Sequence, residues 1–422
     1  MERYSEYKDS GVQWLGEIPK HWTQFQFRKF FKIKKEIAGK EGFDVLAITQ
    51  QGIRIKDITR NEGQLAANYS GYQIVNPSDF AMNHMDLITG YIDISKFHGV
   101  TSPDYRVFTN ISKEADSKYY LYIFQLCYKR KIFFGLGQGV ANKGRWRLPA
   151  AQLNKFCLPL PPLSEQHSIV SYLDDKCAKI DKMLEGKQKQ IELLAEMKQR
   201  IIADAVTRGL NPNVKMKATN IPWLPEIPEH WTVKPIRAIL RENSEKTETG
   251  AEELLSLSQY TGISRKRDAG KTGMFEAEST IGYKKVHPGQ FVMNIMLAWN
   301  GSYAVSGLEG IISPAYCVFD FISNDNKMYY NYLWRLEVYQ GAFKTESRGI
   351  IDSRLRLYPN KFLPFPTICP PLEEQNSIVN YINEKVAKID TLASKLQQEI
   401  ESIKEYKQRL ISDVVTGQIK VC

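Results

Sequence analysis

Only six cysteines occur in the 422 residues (Cys127, Cys157, Cys177, Cys317, Cys369 and Cys422), and no two stand in a CxxC or similar spacing. That argues against a disulfide framework and against a zinc site, and the thiols read as reduced ones of a cytoplasmic protein. No apolar run approaches the ~20 residues that a bilayer-spanning helix needs, so no membrane partner is expected. The opening stretch, MERYSEYKDSG, is polar and charged, and no secretory leader is expected. The six histidines are scattered, and two of them, His21 and His230, sit in a repeated His-Trp pair that reads as structural.

Complete catalytic motifs are missing as well. FFGLG (Phe133 to Gly137) has the form of a methyltransferase cofactor loop, but Gly144 and Pro149 break the helix that should follow it. VNPSDF (Val75 to Phe80) lacks the second proline of an adenine-methylating motif. AGKT (Ala269 to Thr272) has Arg265 where a phosphate-binding loop requires its first glycine. Glu185-Gly186-Lys187 is half of a nuclease triad with no acidic partner in view. No catalytic residue, cofactor or metal is therefore expected.

What is present is a globular composition, 43% hydrophobic and 11% aromatic, with a net charge of +10 and a pI near 9.0. A surplus of this size favours an anionic partner. The chain also repeats itself. PPLSEQHSIVSYLDDKCAKID from Pro161 returns as PPLEEQNSIVNYINEKVAKID from Pro370, 209 residues on, and WLGEIPKHW from Trp14 returns as WLPEIPEHW from Trp223 at the same offset. Between them, both copies carry PxxFxMNxM (from Pro77 and Pro288) and SPxYxVF. Two copies of one unit are expected, each a mixed α/β (α+β) globular part followed by a helix.

The helical part carries a heptad seam: Leu173, Cys177, Ile180, Leu184, Lys187, Ile191, Leu194, Lys198, Ile201 and Ala205, stepping by four and three. Its counterpart is Ile382, Val386, Ile389, Ala393, Leu396, Ile400, Ile403, Lys407, Leu410 and Val414. Prolines 161, 162, 370 and 371 precede the helices, Glu165 and Glu374 fall in their first turns, and Gly209 and Gly417 stand at the C-terminal cap positions. A seam extending roughly 65 Å, at ~1.5 Å per residue, is too long for one small domain to cover. The two helices are expected to bury their seams against each other.

FDVLAIT (Phe43 to Thr49) and EELLSLS (Glu252 to Ser258) read as buried strands followed by polar loops. Lys118 to Lys131 and Lys327 to Gln340 read as helices whose aromatic stripes are core. Basic residues gather in the globular parts: Arg54, Lys56, Lys129, Arg130, Lys131, Lys143, Arg145 and Arg147 in the first, and Arg265, Lys266, Arg267, Lys271, Arg348, Arg354 and Arg356 in the second. Arginine can fork onto guanine or phosphate, so these are the candidate DNA contacts.

YKDSGVQWLGEIPKHW, GVTSPDYRVF, GIISPAYCVF, LPLPPLSEQHSIVSYLDDKCAKID and the endings KQRIIADAVTRGL and KQRLISDVVTGQI cover nearly the whole chain. In this order they resemble the specificity subunit of type I restriction–modification systems. The resemblance implies target-recognition domains at 1–160 and 223–369, conserved coiled-coil helices at 161–208 and 370–422, a linker at 209–222, and pseudo-twofold symmetry. It implies a non-catalytic subunit for phage defence whose two domains each read half of an asymmetric, bipartite site in double-stranded DNA. The helices would set the spacing and dock two methyltransferase subunits, which bring S-adenosylmethionine, with restriction subunits as further partners. A self-contained methyltransferase or nuclease would need a catalytic domain for which no length remains. A coiled-coil scaffold with no DNA role leaves the charge of both globular parts without a purpose.

Overall fold

The computed structural model describes residues 2–58, 68–139, 146–259, 261–268, 279–349, 351 and 354–421. They form two compact units, Met1–Gln188 with Gln397–Cys422, and Lys189–Leu396. Among the described residues no helix is long and apolar enough to cross a membrane.

In the first unit an antiparallel sheet runs in the order Phe31–Lys34, Arg106–Asn110, Phe80–Met82, Ile92–Ile94. Successive side chains of a strand point to opposite faces, and the repeated motifs encode that alternation. Phe80, Met82 and Phe108 face a large core built on helix α1 (Ser117–Lys129), while Ala81 and Val107 face a smaller core under the hairpin Leu46–Thr49/Gly52–Ile55. Phe80 and Phe108 stack with centroids 4.9 Å apart. Most of the aromatic stripe of α1 is core, with Tyr119, Tyr120 and Phe124 fully buried beside Ile123, while Tyr122 is half-buried. Asp116 caps the helix by accepting from the Tyr119 amide at 2.9 Å.

The second unit repeats the plan. Its sheet runs Leu240–Asn243, Tyr316–Phe321, Phe291–Asn294, Tyr303–Val305. Phe291, Met293 and Phe319 face the helical core, and Val292 and Val318 the core under the hairpin Leu255–Ser258/Gly262–Arg265. PxxFxMN and SPxYxVF thus recur because two-faced strands need a large residue on one side and a small or branched one on the other.

Each globular part holds the start of one long helix and the end of the other. These are α2 (Leu163–Arg208) and, in the second copy, α5 (Leu372–Val415). In the first unit Glu165 accepts from Trp22 Nε1 at 3.1 Å and lies 3.0 Å from His21 Nε2. In the second, Glu374 accepts from Trp231 Nε1 at 3.0 Å and lies 2.8 Å from His230 Nε2. The next residue is buried in both: Gln166 donates to the carbonyls of Pro161 and Glu114, and Gln375 to Pro370 O and Asp325 Oδ1. The PPLxEQ segment and the His-Trp pair recur because each completes the other. At the far helix ends, the Tyr119 hydroxyl donates to Val415 O and the Tyr329 hydroxyl to Val206 O, both at 2.8 Å. Gly209 and Gly417, both at φ +76°, end the helices, and a Cβ there would press on Trp231 and on Pro19 and Trp22 respectively.

Every seam position is buried or half-buried, and nearly all positions between them along the middle of the helices are exposed. In the first unit Leu173 and Ile180 pack in one core with Leu410, and in the second Ile382 and Val386 pack with the end of α2. Leu184, Ile191, Leu194, Ile201 and Ile403 are half-buried, and Ile389, Leu396 and Ile400 are buried. Lysines on the seam reach across: Lys187 to Glu399, Lys407 to Asp181, and, in the second unit, Lys198 to Asp390. Lys187 of the nuclease-like triplet is one of these rungs.

Three expectations change. The segments after LAIT and LSLS are not loops but the second strands of tight hairpins, made possible by Gly52 at φ +105° and Gly262 at φ +72°. The helix expected over Lys327 to Gln340 is broken into α3 (Lys327–Leu333) and α4 (Glu337–Glu346). Between them the Trp334 ring is buried and donates to Thr367 Oγ1, and the Arg335 side chain donates to Tyr303 O and Gln259 O, contacts that a continuous helix would carry away. Within 209–222 the strand Met216–Ala218 pairs with Glu226–Pro228, as Tyr7–Asp9 pairs with Glu17–Pro19. FFGLG is a packing element: the Trp146 indole donates to Phe134 O at 2.8 Å and lies against Gly137.

Candidate nucleic-acid interface

In the first unit three segments meet beside the sheet. The hairpin tip reaches a loop at 83–90, where Gln50 Nε2 donates to Thr89 O at 3.1 Å. That loop meets the segment at 146–148, since Asp86 bridges to Trp146 and the Leu148 amide donates to His84 O at 3.0 Å. Arg147 in turn pairs with Gln138 through both backbone groups. Arg54 and Arg147 therefore stand on neighbouring segments of one face, both exposed, and neither has a carboxylate partner among the described residues.

The loop is stiffened from within. Asp86 takes hydrogen bonds from the Ile88 and Thr89 amides and the Thr89 hydroxyl. Burial pushes its carboxyl up, but those bonds outweigh it and hold the carboxyl below its ordinary range. Within the loop, burial and then the charges of Arg106 and Arg147 push the His84 imidazole down to about 3, so it is neutral at physiological pH. Arg106, itself lowered to about 10 by burial, donates to Leu148 O at 2.9 Å and ties the 146–148 segment to the sheet.

The second unit brings the same three segments together. Gln259 at the hairpin tip accepts from Asn300 Nδ2 at 2.6 Å, the Leu357 amide donates to Ile295 O at 2.9 Å, and Arg348 pairs with Arg356 through both backbone groups. Lys344 lies 4.8 Å over the Trp299 ring. Arg265, Arg348 and Arg354 are exposed and without carboxylate partners among the described residues. Arg267 is paired with Glu253 at 3.2 Å, and Arg356 donates to Leu355 O. Lys56 and Lys266 occupy matching places just after the hairpins, their amides bonded to Val45 O and Leu254 O.

The remaining candidates lie elsewhere. Lys129 and Arg130 line a cavity of about 250 Å³ with Glu405, Gln408 and Arg409 of α5, and none of the face residues takes part in it. Lys131 adopts φ 56° at the turn after α1. Lys143, Arg145 and Lys271 fall outside the described residues. Among the described residues no group of His, Cys, Asp and Glu could hold a metal ion.

The loops at 83–90 and 294–301 did not stand out in the sequence. The signal was there: both follow the shared MN of PxxFxMN and both end in glycine, yet HMDLIT and IMLAWN between them differ almost throughout. Asn83 and Asn294 open the loops in the same way, accepting from the Met85 and Met296 amides at 3.2 and 3.0 Å.

Residues 19–193 match the family described as the type I restriction modification DNA specificity domain. The chain is similar to the type I restriction enzyme MjaVIII specificity subunit of Methanocaldococcus jannaschii, 27% identical over 287 residues, which cover 63% of this chain and 62% of that subunit. It is also similar to the putative type I restriction enzyme MjaX specificity subunit of the same organism, 22% identical over 449 residues and 96% of each chain. Among solved structures, one chain described under complex assembly and conformational transition of the type I R-M system covers 95% of this chain and 99% of itself, at a TM-score of 0.67 and 12% identity. The HsdS subunit from Thermoanaerobacter tengcongensis covers 95% and 98%, at a TM-score of 0.51 and 13% identity. These two share the fold.

Proposed function

We propose that this chain, whose residues 19–193 match the type I restriction modification DNA specificity domain and which is similar to type I specificity subunits, is the non-catalytic DNA-recognition subunit of such a complex. Each globular part reads one half of an asymmetric, split site in double-stranded DNA, and the paired helices hold the two readers apart. The observation that carries this reading is the repeated three-segment face. Two of its supporting backbone links recur, the Leu148 and Leu357 amides donating to His84 O and Ile295 O and the two-way pairs Gln138–Arg147 and Arg348–Arg356, whereas the hairpin-tip bonds and the outward residues differ, which suits two readers of different sequences on one plan. Sequence is read at base edges, and phosphate contacts set orientation.

Catalysis then falls to two methyltransferase subunits docked on the helices, with restriction subunits as further partners. Support for docking comes from apolar side chains left exposed beside the seam. In the first unit these are Met183 (54%) and Tyr406 (50%), and in the second Leu392 (48%) and Met197 (52%). Leu392 and Tyr406 stand 209 residues after Met183 and Met197, so the two units present the same site. Two equal patches suit two copies of one partner.

The test is methylome sequencing of a host expressing this chain with its methyltransferase. Methylation at an asymmetric site, two short specified parts separated by an unspecified spacer, is the expected result. Methylation at a continuous palindrome, or none that depends on this chain, would contradict the reading.

A further inference from the structure

Resting on the DNA-reading role above, we infer that the loops at 83–90 and 294–301 are base-reading elements whose exposed aliphatic side chains, Ile88 and Leu297, each contact the C5-methyl group of a thymine, one in each half-site. Both side chains are large and held in the open, 45% exposed for Ile88 and 42% for Leu297. Each sits beside a residue that anchors its loop in the core, Leu87 at 1% exposure and Ala298 at 0%. A single exposed aliphatic residue is ordinary. Here each of two loops in matching places carries one, at positions two apart in register (Ile88 aligns with Trp299, and Leu297 with Asp86), as suits readers of two different sequences.

The surroundings point to the major-groove edge of a duplex. Arg54 and Arg147 flank the first loop's face and Arg348 and Arg354 the second's, all without carboxylate partners among the described residues. Guanidinium groups around a small apolar tip suit phosphates around a base methyl. Thymine is the base that offers an apolar group in the major groove, and aliphatic contact is how it is distinguished there. A wedge driven between base steps would need a side chain that projects freely. Ile88 and Leu297 instead sit on closed turns beside buried neighbours, and neither residue is more than half exposed. A surface contact is what remains.

The loops are also preorganised for such a contact. The first is closed by the Asp86 bonds and tied to Gln50, and the second is closed by Asn300 and Ser302 amides donating to Leu297 O and tied to Gln259. Little order is left to impose when DNA arrives.

The experiment uses the complex of the full chain with its methyltransferase and duplexes carrying the mapped site, each with a single thymine replaced by deoxyuridine, which lacks only the methyl group. For the unaltered complex, one deoxyuridine in each half-site should weaken binding by roughly threefold to tenfold. Ile88→Ala should abolish that sensitivity in one half-site and Leu297→Ala in the other, each leaving the other half-site's sensitivity intact. A half-site without a thymine, insensitivity to every deoxyuridine, or sensitivity that persists in the variants would overturn the proposal. If the unaltered complex shows no preference for the mapped site over unrelated duplex, the DNA-reading role itself fails, a result distinct from loss of the methyl contacts alone.

Discussion

Lys198 on α2 donates to both carboxylate oxygens of Asp390 on α5, at 2.8 and 2.9 Å. Their counterparts 209 residues away, Lys407 and Asp181, make the same bond in the first unit at 2.6 and 2.7 Å. The duplication thus appears in the antiparallel helix pairing as two equivalent rungs. Such half-exposed pairs contribute little each, about 0.2–1 kcal/mol, and act mainly by fixing register. Removing them by Lys198→Ala with Lys407→Ala should lower stability by no more than about 2 kcal/mol. Replacing Ile400, 3% exposed, by Asp buries an unpaired charge and should cost more than both together. Thermal unfolding of the two variants checks the order.

The Trp22–Glu165 bond should matter more than its repeat. Glu165 is 8% exposed at its side chain and Glu374 26%. Glu165→Ala leaves the buried Trp22 indole N–H without a partner, at a cost of about 1–3 kcal/mol. Glu374→Ala should cost less, because water can reach the vacated place. Hydrogen exchange resolved to each unit should show greater loosening around Trp22 in the first variant than around Trp231 in the second. The reverse order would mean that the clamp does not work through this bond.

Gly417 and Gly16 both have positive φ, +76° and +65°, but they differ in surroundings. A Cβ on Gly417 would meet Pro19 Cδ at 2.5 Å and the Trp22 ring at 2.9 Å, whereas one on Gly16 would meet nothing within 4 Å. Gly16→Ala should therefore cost only the backbone strain, about 1–2 kcal/mol. Gly417→Ala should lower the melting temperature further, by displacing the helix end from the His-Trp motif.

His84 gives a pH dependence with a definite sign. Its pKa is lowered from the ordinary 6.5 to about 3, chiefly by burial. Below pH 6.5 the unfolded chain binds a proton that the folded chain refuses, so stability falls as pH drops from 6.5 toward 3 and is unaffected by this group above that range. His84→Asn should flatten the slope of unfolding free energy against pH over that interval. An unchanged slope would show that His84 is protonated in the folded protein.

The exposed patches beside the seam make a separate prediction. Met183→Glu with Tyr406→Glu should weaken capture of the methyltransferase at one site, and Met197→Glu with Leu392→Glu at the other, with folding unchanged because all four side chains are about half exposed or more. Native mass spectrometry should then find one methyltransferase per chain in either variant. Two per chain in both would place docking elsewhere.

The helices were legible because a heptad seam is local and repeats, and Leu173 through Val414 lie where the pattern puts them. The His-Trp and PPLxEQ segments were visible as repeats, but their shared purpose was not, since Trp22 and Glu165 stand 143 positions apart. The face was half legible. Arg54 and Arg147 stood out by charge. The loop that joins them did not, because HMDLIT carries neither periodicity nor basic residues, and its place is set by Gln50 and Leu148 bonding to its backbone. Lys129 and Arg130 looked like the same kind of residue, but helix α1 turns them toward α5.

The central claim is that two independent readers sit on one duplicated frame. Exchanging residues 23–155 for the first recognition domain of another specificity subunit, and mapping the methylated sequence, tests it most directly. One half of the recognised site should change while the other half stays the same. A change in both halves, or in neither, would contradict the account.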